Sequence, residues 1–86
     1  MHLEVNQLRA LATLAEELNY TRAAQRLGVA QPALSARISR MERRLGCQLV
    51  ERSTRSVRIT ETGLELLARA RPLLAELDAE SPGPLS

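Results

Sequence analysis

Eighty-six residues make one small domain and leave no room for a second. With 44% apolar residues, Tyr20 as the only aromatic, no run near the ~20 apolar residues of a membrane span and no apolar signal core, the chain reads as a soluble, cytoplasmic domain with an aliphatic core. The net charge of +2 hides an asymmetry, since residues 21–60 hold nine arginines and two glutamates while the remainder holds three arginines and eight acids.

The first apolar series, Val5, Leu8, Leu11, Ala12, Ala15 and Leu18, predicts a helix over 5–18. Asn19-Tyr20-Thr21 interrupts it. Thr21 is the expected N-cap of a short second helix over 22–27, in which Ala23 and Ala24 are small enough for close approach of a neighbour. Gly28 falls where a helix end wants a left-handed residue. A third helix begins near Gln31, with Pro32 in its first turn, where a missing N–H costs nothing. Leu34, Ile38, Met41 and Leu45 form its narrow apolar stripe. Pro32, Ala36, Ser39, Arg40 and Arg43 face the opposite way, Ala33 and Ser35 lie on the flanks, and Gly46 ends the helix.

Residues 49–52 and 57–60 alternate and are joined by four polar residues, which predicts a β-hairpin bearing Arg52, Arg55 and Arg58. A long helix follows from Thr60 or Glu61 to about Glu80, with acids at its start. Leu66, Ala70, Leu73 and Leu77, widened by Leu64, Leu67 and Leu74, form a stripe too broad for so small a domain to bury alone. A partner helix is the expected cover, and packing back onto the first helix is the other reading. Pro72 interrupts the pattern and predicts a bend near residues 68–72. The segment 81–86 has no periodicity and reads as a flexible tail.

Two helices around a glycine corner make a helix-turn-helix, and the hairpin makes it a winged one. The outward face of the third helix is small, polar and cationic, as a helix lying close to a major-groove floor requires. Gln31 and Ser35 suit base edges, and Pro32 and Ala33 suit thymine methyls. Arg40 and Arg43 suit phosphates or a guanine edge, with Ala36, Arg37 and Ser39 on the same helix. Thr21 and Arg22, with the wing residues Arg52, Arg55 and Arg58, are backbone candidates. No catalytic set, phosphate loop or metal-ligand cluster is visible, so neither enzyme activity nor a cofactor is expected. Cys47 and His2 are each alone.

The stretches LRALATLAEELNYTRAAQRLGVAQPALSARISRMERRLG and LVERSTRSVRITETG resemble the N-terminal DNA-binding domain of LysR-type transcriptional regulators, over residues 3 to 80. The resemblance implies a mainly α winged helix-turn-helix over 3–61, with the helix-turn-helix itself at about 21–40, and a linker helix over 62–80 that dimerises. It further implies double-stranded DNA as partner, bound at imperfect inverted repeats by a homodimer, with room for a tetramer in the full-length protein. Groove contacts are implied at Gln31, Pro32, Ser35 and the next residue, which is often arginine in the family and is Ala36 here, leaving Arg37 or Arg40 to take a phosphate. Leu18 stands where many members have glycine, Gln48 where many have proline and Val50 where phenylalanine is usual. Family members also carry a C-terminal effector-binding domain. The stop after Pro84-Leu85-Ser86 is read as excision from such a chain, with any small-molecule effector belonging to the missing part. The competing readings are an arginine-rich protein-interaction module and another winged-helix family such as the molybdate-responsive regulators.

Overall fold

A computed structural model describes residues 4–53 and 56–80 of the chain. His2, Arg55 and the segment 81–86, all named above, lie outside the described residues. The elements run α1 (Val5–Glu17), α2 (Tyr20–Leu27), α3 (Gln31–Leu45), β1 (Val50–Arg52), β2 (Val57–Ile59) and α4 (Glu61–Glu80). The chain is mainly helical, with one antiparallel hairpin in the register Val50↔Ile59, Glu51↔Arg58 and Arg52↔Val57. This is a winged helix-turn-helix with a long C-terminal helix.

Each helix boundary has a local cause. Leu18 closes α1 in the left-handed region at φ 50°, its N–H donating to the Leu14 carbonyl at 2.7 Å. The start of α2 differs from the expectation at Thr21: the cap is Asn19, whose Oδ1 accepts the Arg22 N–H at 2.9 Å. Both residues are good caps by propensity. Capping at Asn19 puts Tyr20 inside the helix, where its ring is buried in the core, and that packing decides the boundary. Gly28 and Gly46 each close their helix at φ 70°, as expected.

The core is aliphatic. Leu11 and Leu14 of α1, Leu34, Ile38 and Met41 of α3, Leu49, and Leu67 of α4 are fully buried, with Ala23 and Ala24 between α2 and its neighbours. The broad stripe of α4 therefore divides. Leu67, Ala70 and Leu74 are buried within the chain and Leu66 is half-buried against the core, whereas Leu64, Leu73 and Leu77 are exposed. The packing back onto the first helix holds for part of the stripe, because a helix packed on one neighbour buries one strip and leaves its flank outside. α4 is one continuous element through Pro72. The carbonyl of Ala68 loses its helical donor there. Both residues lie on the exposed side, where water can take the donor's place. Among the described residues no helix is long and apolar enough to cross a membrane.

The junction of hairpin and α4 is tightly tied. Thr60 Oγ1 accepts the Gly63 N–H at 3.0 Å, capping α4, and donates to the Gln48 carbonyl at 2.7 Å. Gly63 lies so close to the hairpin that an added Cβ would stand 2.6 Å from the Leu49 carbonyl oxygen and 2.7 Å from Ile59 Cγ2. Only glycine allows that approach.

Candidate nucleic-acid interface

The corner between α2 and α3 sets the geometry of the site. The Gly28 N–H donates to the Ala24 and Gln25 carbonyls, and the Val29 N–H donates to the Ala24 carbonyl at 3.0 Å. These hydrogen bonds satisfy the end of α2 and turn the chain sharply into α3. Leu34, Ile38 and Met41 then anchor α3 from behind. In front, Gln31, Pro32, Ala33, Ala36, Arg40 and Arg43 are exposed, and Ser35, Arg37 and Ser39 are half-buried along the edges. The predicted outward residues thus share one surface. Pro32, Ala33, Ser35 and Ala36 near its start are small, which lets a groove floor approach the backbone.

Thr21 and Arg22 are exposed at the start of α2, and Arg52 and Arg58 are exposed on the hairpin. Two arginines of the basic middle are turned elsewhere. Arg26 pairs with Glu16 at 2.8 Å and Glu17 at 3.1 Å, and Arg44 pairs with Glu4 at 3.6 Å. Hydrogen bonds to Glu16 and then Glu17 hold the Arg26 guanidinium above its ordinary pKa. These acids gather the rear cations onto α1, so the front face keeps the positive field. On the far side of α4, Asp78 meets Arg9 at 2.7 Å and Arg71 approaches Glu16 at 3.8 Å, fastening α4 to α1. The Arg9 hydrogen bond keeps the Asp78 carboxyl below its usual pKa.

Two residues that shape the wing escape a reading of the sequence. The first is Glu42, whose Oε2 accepts the N–H groups of Leu49 at 2.8 Å and Val50 at 3.1 Å and so fixes the root of the wing to α3. Its signal was present: Glu42 is the sole acid between residues 21 and 50. The second is Tyr20, whose ring carries the Arg52 guanidinium 4.4 Å from its centroid. Burial raises the Tyr20 phenol above its ordinary pKa, and the nearby Arg52 charge works against that rise. Cys47 is half-buried beside Leu45 and Leu49.

This architecture has relatives. A family model described as the bacterial regulatory helix-turn-helix protein of the lysR family matches residues 5–64. The chain belongs to that family. As a LysR-type helix-turn-helix DNA-binding domain of bacterial transcriptional regulators, it is 47% identical over 78 residues to the small neutral protease regulatory protein of Streptomyces coelicolor, covering 91% of this chain and 24% of that protein. It is also 47% identical over 76 residues to the HTH-type transcriptional regulator PgrR of Escherichia coli, covering 88% of this chain and 25% of PgrR. The chain therefore spans about a quarter of the length of these curated relatives. Among solved structures, the BenM DBD in complex with catB site 1 DNA matches with a TM-score of 0.84 at 39% identity, covering 90% of this chain and 86% of that one. A Corynebacterium glutamicum OxyR mutant matches with a TM-score of 0.87 at 38% identity, covering 92% of this chain and 24% of that one.

Proposed function

We propose that this LysR-type domain reads double-stranded DNA in a sequence-specific way, as a homodimer, at an imperfect inverted repeat. The observation that carries the reading is the front of α3. Gln31, Pro32, Ala33, Ala36, Arg40 and Arg43 are exposed together beside an arginine-bearing wing, in a domain that superposes on one solved with DNA. Gln31 and Ser35 are the base-edge donors and acceptors in this reading, Pro32, Ala33 and Ala36 the thymine-methyl contacts, and Arg37, Ser39 and Arg40 the flanking polar contacts. Thr21, Arg22, Arg43, Arg52, Arg55 and Arg58 bind the backbone or the minor groove. Dimerisation uses α4. Val5, Leu8, Leu73, Leu74 and Leu77 line an open apolar groove that a second α4 would cover, with Leu67 and Ala70 buried on the same helix and Leu66 two turns away beside Leu45 and Cys47. Action in the cytoplasm, response to a small-molecule effector and tetramer formation belong to the complete regulator in this reading.

Selection of the purified domain on a random duplex library at near-physiological salt tests the proposal. Enrichment of an inverted repeat with half-sites one or two helical turns apart is expected. Retention of duplexes without sequence enrichment would overturn it and favour an arginine face that serves an acidic protein partner. Ser35→Glu gives a second test, because it places a negative charge at the edge of the groove face. Binding to the selected duplex should be lost, with the melting temperature little changed.

A further inference from the structure

Tyr20 is the one aromatic residue in a chain that otherwise builds its core from aliphatic side chains. It stands at the first position of α2, 8% exposed, and its ring lies beneath the exposed Arg52 of the wing at 4.4 Å. Its hydroxyl is buried and makes no hydrogen bond of full geometry among the described residues, although the Arg52 guanidinium lies near enough to act on it. A buried hydroxyl without such a bond does not stabilise the fold. What the residue supplies beyond a leucine is therefore the ring face, and that face is occupied by a cation.

We infer that Tyr20 is a positioning residue for DNA recognition: its ring holds Arg52 in the orientation from which the wing meets the duplex. The wing needs such a hold. Its strands are three residues each, too short to order themselves. Glu42 ties the backbone at Leu49 and Val50, and Thr60 with Gly63 ties the base at the other end. Arg52 lies two residues beyond the Glu42 tie, at the far end of β1, where its backbone is paired with Val57 and the Ser53 N–H donates to the Ser56 carbonyl at 3.0 Å, so what the ring adds is the direction of the exposed side chain. Stacking over a ring leaves the charge of a guanidinium intact, and with five donors arginine retains capacity for phosphate or base edges. Ordering the side chain before DNA arrives lowers what binding must spend on it. The inference rests on the DNA-reading function proposed above and adds a specific coupling between α2 and the wing.

The test is a double-mutant cycle between positions 20 and 52, read by fluorescence anisotropy on the selected duplex. Tyr20→Leu should weaken binding by about two- to five-fold per domain. It should cause no further loss in an Arg52→Gln background. Tyr20→Phe should bind as the parent does, because it keeps the ring. Replacing Tyr20 with pentafluorophenylalanine preserves the size of the ring and reverses its quadrupole, so it should reproduce the leucine defect even if Tyr20→Leu folds poorly. Equal losses from the position 20 change with and without Arg52 would overturn the inference, as would unchanged affinity in the fluorinated variant. In the free domain, the Arg52 Nε–H resonance should be shifted by the ring current in the parent and in Tyr20→Phe, and released in Tyr20→Leu. If the parent binds no duplex at all, the DNA-reading function fails and the inference falls with it. If the parent binds and the cycle shows no coupling, only the inference falls.

Discussion

Leu18 is the one described non-glycine residue with positive φ, at 50°. A side chain in the left-handed region costs about 1–2 kcal/mol through the clash of its Cβ with the following carbonyl. Leu18 is also 49% exposed, so it recovers only part of that cost by burial. Leu18→Gly should therefore raise stability by about 0.5–1 kcal/mol, read as a higher urea midpoint with an unchanged slope. Gly63 is the opposite case. Its backbone conformation is ordinary, and the restriction comes from Leu49 and Ile59 pressed against it. Helix propensity alone would make Gly63→Ala stabilising by up to ~1 kcal/mol. Because the new Cβ meets a backbone carbonyl that cannot swing aside, overpacking wins, and a net loss of about 1–2 kcal/mol is expected in thermal unfolding. Neither sign is readable from residue identity alone.

At the scale of elements, the helices were legible because their apolar spacings and glycine ends are local signals. The order of three helices, hairpin and long helix stands as read, with the start of α2 shifted from residue 22 to Tyr20. The hairpin was legible as two alternating segments, but its attachment was not. Glu42 holds the wing through two backbone N–H groups seven and eight residues along the chain. Sequence pattern carries no information about which backbone donors a carboxylate will meet. Glu42→Ala should leave both donors unpaired and lower stability by about 2 kcal/mol. It should also loosen the wing, seen as faster amide exchange at Leu49 and Val50, while exchange within α1 changes only with global stability.

Across the whole molecule, ion pairs take up several arginines outside the front of α3, and an apolar groove opens between α1 and α4. Glu16 of α1, its N-cap Glu4 and Asp78 of α4 take Arg26, Arg71, Arg44 and Arg9 into ion pairs away from the front of α3. Exposed pairs of this kind contribute little to stability individually. Their effect is on the field, which is left positive in front of α3 and the wing. Apolar surface is left between α1 and α4, where Leu73 and Leu77 are 57% and 43% exposed beside Val5 and Leu8. Changing Leu73 and Leu77 together to Glu should give monomers in sedimentation with the domain still folded, since neither side chain supports the internal core. Affinity for a full inverted repeat should then fall toward that for one half-site, as two linked half-sites lose their effective concentration. A dimer that survives the double change would place the seam elsewhere.

The sequence by itself determined the element order, the helix-turn-helix corner and the set of residues on the front of α3. These follow from periodicities of three and four, from glycines that alone accept a left-handed end without strain, and from a proline placed where its missing N–H is harmless. Tertiary structure alone decided how the shared surfaces were allotted. It put Leu67, Ala70 and Leu74 into the core and Leu73 and Leu77 outside it, chose Asn19 over Thr21 as a cap, and brought Tyr20 beneath Arg52. Each of those outcomes depends on which distant segment packs against a given face, and a one-dimensional pattern records the face without its neighbour.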